Sequence, residues 1–236
     1  MVKEGDSIAQ LIQDAVSRNR LSLRGGDVLV VAHTAVSKAE GCIHPIANIT
    51  IGERAKQIGL RNGVDPAKVQ LALDESIEVL RESPVLITKT RQGIITDYSA
   101  VDRSNAPDGC LLTLPRDPDK SAEAIRRGLL KSSHRHVAVI ISDTHGRPWR
   151  RGAVNVAVGI AGMSPYTTNR GKLDLHGRPL RSSQVCLADE LAAAAELVMG
   201  QADEGVPVVL IRGVELETGP GDAKSITRSD EENLFR

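Results

Sequence analysis

Asp143, Thr144 and His145 close the aliphatic run VAVIIS, and Arg147, Arg150 and Arg151 follow at once with Trp149, the only tryptophan. A carboxylate and a hydroxyl leaving a buried strand lie where α/β sheets place their binding sites. Such oxygens suit a hard divalent cation, and arginines suit phosphate or carboxylate groups. The same residues also suit a structural arrangement, with Asp143 as a cap or a local partner of the arginines.

Other stretches share this character. VVAHTAVSKAEG, residues 30–41, runs from a strand into His33, Thr34, Ser37 and Lys38. A lysine point charge with hydroxyls suits phosphate, although the spacing is not that of a Walker loop. A solvated turn fits the same residues. DYSAVDRSNAPDG, residues 97–109, places Asp102, Ser104 and Asn105 on an expected loop. Asp102 suits a magnesium-like cation and Asn105 a nucleotide contact; an ordinary Asx-turn uses the same residue types. Asp189 and Glu190 open a helix, where the dipole alone favours acids. His134, His136, His145 and His176 show no zinc spacing. Taken together, the residues point to metal-assisted phosphate chemistry.

Buried strands and helices must position these groups. The spacing predicts a helix over 5–18 capped by Asp6 or Ser7, a buried strand over 25–34, and helices over 50–63 and 65–83. Asp65 is placed to cap the latter, with Pro66 at its first position. Two strands around a turn are expected over 84–99, a short strand over 110–115 and a helix over 117–133. Strands over 136–143 and 153–162, an alanine-rich helix over 184–201 stopped by Gly200, and a strand over 206–213 follow. The polar residues after 213 read as a tail or a packed arm. Strands and helices mix without strict βαβ alternation. The expected class is mixed α/β (α+β), in one unit over 1–236, with room for two interleaved lobes.

Composition removes several classes. Among 236 residues, 30 Lys plus Arg balance 30 Asp plus Glu, so net charge supports neither a nucleic-acid nor a membrane-surface partner. Tyr98, Trp149, Tyr166 and Phe235 are the only aromatics, which argues against a broad base-stacking platform. Cys42, Cys110 and Cys186 are widely spaced and read as buried free thiols of a reducing compartment. With no signal-peptide pattern and no apolar run long enough for a bilayer, the expectation is a soluble cytoplasmic protein.

GDVLVVAHTAVSKAEG, VDRSN, LPRDPDKSAEAIRRGL, VIISDTHGRPWRRG, AVGIAG, RGKLDLHGRPLRSSQV, ADELAAAAELVMGQ and VVLIRG occur in this order across nearly the whole chain. Together they resemble the coenzyme F420-0:L-glutamate ligase family, the gamma-glutamyl ligases of deazaflavin cofactor biosynthesis. The resemblance implies an unusual two-lobed α/β fold and an intertwined homodimer with active sites near the subunit interface. It implies a GTP- and metal-dependent amide ligase that joins L-glutamate to the lactyl carboxylate of F420-0 through an acyl phosphate. The product would be F420-1 and, with a second glutamate, F420-2. On matching positions it implies metal binding by Asp102, Asp143 and, for a second ion, Thr144. It implies nucleotide binding by His33, Lys38 and Asn105, and assigns no catalytic residue. The implied cofactors are two divalent ions, Mg2+ or Mn2+, with GTP as co-substrate and K+ as an additional cation.

This chain departs from that family in places. Where the family has small residues resembling ANAGID, the chain has DYSAVD. Asp97, Tyr98 and Ser99 are therefore expected to change the loop lining and the acceptor. Family members also carry an N-terminal segment with an LPE motif against the nucleotide, and this chain begins after it, at MVKEGDS. Either the natural start lies upstream or nucleotide binding is altered. The alternatives are a related GTP-dependent amide ligase with another carboxylate acceptor, and a non-catalytic nucleotide-binding subunit.

Overall fold

The computed structural model describes residues 1–217, 219 and 221–235. In chain order the elements are α1 (Ile8–Arg18), β1 (Val28–Ala32), α2 (His33–Ala39), β2 (Ile43–Pro45), α3 (Glu53–Asn62), α4 (Pro66–Asp74), β3 (Ser76–Arg81), β4 (Ile87–Thr90), β5 (Ile95–Asp97), β6 (Cys110–Leu112), α5 (Pro118–Ser133), β7 (Ala138–Arg147), β8 (Arg150–Ala161), β9 (Tyr166–Thr168), β10 (Gln184–Cys186), α6 (Leu187–Met199) and β11 (Val208–Ile211). This is the mixed α/β class expected from the sequence.

A four-stranded sheet, in the order β11-β1-β7-β8, carries the site. β1 and β7 run parallel, Val28 opposite Ala138 and Ala32 opposite Ser142, and the remaining pairs are antiparallel. Successive side chains leave a strand on opposite faces. Leu29, Val31, Val139 and Ile141 therefore pack with Ile8 and Ile12 of α1 and Ile125 and Leu129 of α5. Val28, Val30, Ala138 and Ile140 pack instead with Leu191, Ala192 and Ala195 of α6. Cover on both faces explains why these strands read as unbroken apolar runs. Each fully buried Val, Leu or Ile contributes roughly 1.5–3 kcal/mol of transfer free energy.

Local contacts fix how the layers meet. A Cβ on Gly159 would lie 2.5 Å from the Pro118 carbonyl oxygen, so only glycine lets α5 approach β8 this closely. Asp27, buried just ahead of β1, accepts from Arg212 Nε at 2.7 Å, Arg212 Nη2 at 2.8 Å and Arg24 N at 2.7 Å. That pairing ties the start of β1 to the end of β11. A further cluster joins Ile58 of α3, Val69 and Leu71 of α4 and Leu111 of β6 with Leu86 and Tyr98, which flank β4 and β5.

Several elements differ from expectation. The helix predicted over 65–83 stops at Asp74, and SIEVLR forms β3 against β4, with Val79 opposite Thr88. Ile77 and Val79 favour a strand once a partner is present, and periodicity alone does not separate the two patterns. Residues 33–39 form a helix, not a turn. β7 does not end at Asp143 but runs on to Arg147 and returns as β8 from Arg150. The arginines thus sit on a hairpin tip. There Trp149 is 77% exposed and tilts against Phe235, ring centroids 5.4 Å apart. The C-terminal stretch is a packed arm at least at Ala223, which is buried in the α6-side core.

Candidate active site

A cleft of about 1160 Å³ opens where β1 and β7 deliver their ends, and His33, Lys38, Asp102, Asn105, Asp143 and Thr144 all line it. The parallel register explains half of this. Ala32 lies opposite Ser142, so His33 and Asp143, each one residue further on, leave adjacent strands side by side. His33 Nε2 lies 3.1 Å from Asp143 Oδ1, and His145 Nε2 lies 3.2 Å from Oδ2, off the hydrogen-bonding direction. The Thr144 amide donates to Oδ1 at 2.7 Å. Burial alone would push the Asp143 carboxyl up. The His33 charge, with the close approach of both imidazoles, outweighs it and holds the carboxyl well below the usual range. Burial disfavours the His33 imidazolium, yet Asp143, and Asp102 more weakly, raise it above its ordinary value. Burial lowers the Lys38 ammonium, and Asp102 opposes that shift.

Asp102 arrives by another route. It bridges Leu112 through its backbone, and its carboxylate accepts from Ser104 N and Ser104 Oγ, both at 2.7 Å. The Asx-turn expectation therefore holds in its geometry, and lone pairs on both oxygens stay available. Asn105 is exposed in a left-handed conformation, φ 55°. Upstream, Tyr98 and Ser99 do not change the cleft lining as expected. They turn into the α3–α4 core at 7% and 2% exposure, and Asp97 and Ala100 take the wall positions.

The arginines do not reach this cleft. Arg147 Nε donates to the Gly152 carbonyl at 3.0 Å and its Nη2 to that of Arg151 at 2.9 Å, so it shapes the hairpin. Asp143 is held by histidines and not by arginines. Asp189 serves the fold, accepting from Ala157 N at 2.9 Å. Cys42 is buried, Cys110 and Cys186 are half-buried, and all are free. Burial pushes the Cys186 thiol up to about 12, which leaves it protonated.

Sequence reasoning missed three residues here. His145 follows Asp143 by one period of the strand, so it shares the face of that carboxylate. Asn155 stands opposite Thr144 on β8, and Gln201 follows the Gly200 that ends α6. Thr144 Oγ1 lies 2.8 Å from Asn155 Oδ1 and 3.0 Å from Gln201 Oε1. Gln201 Nε2 meanwhile donates to Asn155 Oδ1 at 3.2 Å and Glu196 Oε1 at 3.1 Å, which fixes the amide's orientation. One hydroxyl has one proton. One of its two short oxygen–oxygen contacts therefore has no proton between the atoms, and such a pair of facing oxygens suits a hard cation. Among the described residues His33 Nδ1 and Ser142 Oγ, which are buried beside the cleft, have no hydrogen-bond partner. A lone polar asparagine in the apolar strand AVNVAVG was the available signal. Among the described residues, no three His, Cys, Asp or Glu side chains converge as a metal-binding set.

The chain matches the protein family described as F420-0:gamma-glutamyl ligase over residues 1–213. It is 47% identical over its full length to the coenzyme F420:L-glutamate ligase of Methanothermobacter thermautotrophicus, covering 95% of that protein. The corresponding ligase of Methanopyrus kandleri is 45% identical over the whole chain and 93% of its own length. That of Archaeoglobus fulgidus is 43% identical, again over the whole chain and 92% of its own length. The chain belongs to the F420-0:gamma-glutamyl ligase family. As a member of the family it brings to one cleft all six residues that the resemblance singled out. Among the described residues no helix is long and apolar enough to cross a membrane.

Proposed function

We propose that this chain is a GTP- and divalent-metal-dependent ligase that joins L-glutamate to the lactyl carboxylate of coenzyme F420-0, giving F420-1 and, with a second glutamate, F420-2. One observation carries the reading: a buried, ionised Asp143 stands beside the Thr144–Asn155–Gln201 oxygen group, in a cleft that also holds Lys38 and Asp102. Family membership and the names of the relatives supply the acceptor.

Asp102 and Asp143 would hold one divalent ion, and Thr144 with Gln201 a second. Bound there, Mg2+ or Mn2+, with K+ as an additional cation, would offset the charge of the transferring phosphoryl group. Lys38 supplies a further positive charge to the phosphate oxygens, and Asn105 a side-chain amide. His33 keeps Asp143 ionised and fixes its orientation.

A carboxylate is a poor acyl donor because its leaving group would be an oxide. Its oxygen attacks the GTP γ-phosphorus, the bond to the β-phosphate breaks, and GDP leaves. The neutral amine of glutamate then attacks the acyl carbon, phosphate departs, and the amine proton passes to solvent. A homodimer belongs to the same reading and rests on the resemblance; a cytoplasmic location belongs to it too and rests on the free, widely spaced cysteines.

Purified protein given F420-0, GTP, L-glutamate and Mg2+ or Mn2+ is expected to yield a product heavier by one glutamyl unit, with matching GDP, by mass spectrometry. No GDP release with any deazaflavin acceptor overturns the reading. Turnover of another carboxylic acid with none on F420-0 transfers it to a related amide ligase. Asp97 on the cleft wall favours that second reading, because it adds a carboxylate to the lining of the cleft.

A further inference from the structure

The cleft contains a cation that the mechanism above leaves unused. Lys68, in the first turn of α4, lines it together with Asp97, Ala100, Asp102 and Asn105. Its Nζ lies 5.3 Å from the centre of the Tyr98 ring. Among the described residues it has no ion-pair partner, although Asp97 and Asp102 face the same space. Positive charge in a first helical turn is opposed by the helix dipole, and the N-cap acid, Asp65, accepts from Ala67 N at 2.9 Å and lies 3.9 Å from Arg103 without pairing with Lys68. The helix's own electrostatics therefore do not account for a lysine here.

Tyr98 is a rigid seat for that ammonium. Its amide donates to the Leu86 carbonyl at 2.9 Å, and its hydroxyl accepts from Asn62 Nδ2 at 3.3 Å. It opens a left-handed turn in which Tyr98, Ser99 and Ala100 have φ of 46°, 52° and 55°. Non-glycine residues resist this conformation. Buried bonds enforce it: Ser99 Oγ donates to the Ala72 carbonyl and contacts Thr88 Oγ1, both at 2.7 Å, and Ser99 N donates to Thr88 Oγ1 at 3.0 Å. The ring face so presented attracts an ammonium. That holds a flexible side chain against the cleft wall instead of letting it extend into solvent.

We propose that Lys68 is a further binding residue of this cleft, contacting a phosphate or carboxylate oxygen of one reactant, and that Tyr98 positions it. The inference deepens the ligase reading and rests on it for the identity of the reactants. GTP and F420-0 carry phosphate; F420-0 and glutamate carry carboxylate.

Direct titrations separate these sources. GTP with Mn2+ and L-glutamate are followed by calorimetry, and F420-0 by the fluorescence of its ring. The proteins compared are the native chain and the Lys68→Met, Lys68→Arg and Tyr98→Leu variants, each checked by thermal melting. Lys68→Met is expected to weaken one ligand by about tenfold, and to raise its KM while leaving kcat nearly unchanged. Lys68→Arg is expected to recover most of the loss, and Tyr98→Leu to fall between. If Tyr98→Leu melts early, Lys68→Met alone decides. Equal affinities of native and Lys68→Met protein for all three ligands overturn the proposal, as does native protein that binds none. If Lys68→Met loses affinity but native protein forms no glutamyl product, the contact stands and the ligase reading falls.

Discussion

Asp143 stands on the central sheet, 9% exposed and contacted at both oxygens, whereas Asp102 hangs from a loop propped by a left-handed turn. The carboxylate on the sheet is placed by strand register, shared with the whole core. The carboxylate on the loop is placed by one backbone bridge, to Leu112, and by bonds from Ser104, next to a left-handed turn that Ser99 pins to Ala72 and Thr88. One wall of the cleft therefore moves only when the fold does, and the other can shift at small cost.

Substitution is the sharpest way to break that contrast. Asp143→Asn is expected to lower product formation by about 10³-fold and to destabilise by roughly 3 kcal/mol, because His33 keeps a buried charge without its partner. Asp102→Asn should cost activity on a similar scale yet leave the melting temperature nearly unchanged. Equal loss of stability in the two variants, read by thermal melts, would erase the distinction. Thr144→Val comes next, with product formation down about 10–100-fold and Thr144→Ser near native activity.

The sheet's rigidity also has a pH signature at Asp27. Burial raises this carboxyl, but the hydrogen bonds from Arg212 and Arg24 win and hold it below its ordinary value. A carboxyl lowered on folding stabilises fully above its unfolded value, near about 3.9. That contribution is lost as pH falls through the lower folded value. Asp27→Asn should lower the melting temperature at neutral pH by several degrees and flatten the loss of stability on acidification. A native-like acid limb in the variant would rule this out. Smallest in size, Ala100→Gly relieves one residue of the left-handed turn. It should stabilise by about 1 kcal/mol in denaturant titrations. A loss of stability instead would mean that the turn is not strained.

Much of the sheet was legible because Val28–Val31 and Val137–Ile141 are buried on both faces and therefore read as plain apolar runs. Lys38, Asp102, Asn105, Asp143 and Thr144 could be nominated from residue type and from resemblance. Asn155 and Gln201 could not be, since they meet Thr144 only after a hairpin closes and a helix ends beside it. His33 could be placed near the site but not against Asp143, because that contact depends on the parallel pairing of β1 with β7. The 76–81 segment departs from its expected helix for a related reason: its strand character comes from a partner and not from its own pattern. The Asp143 strand was read as ending too early, since nothing in Arg147–Arg151 announces a hairpin.

The only indole in this protein lies outside every core, leaning on Phe235 at the hairpin tip. Its emission should therefore respond to release of the chain's end long before the sheet melts, and hardly at all to the melting itself. Loss of the sheet has to be followed in the far ultraviolet, while the same fluorophore serves as a built-in gauge of whether the terminal arm is docked.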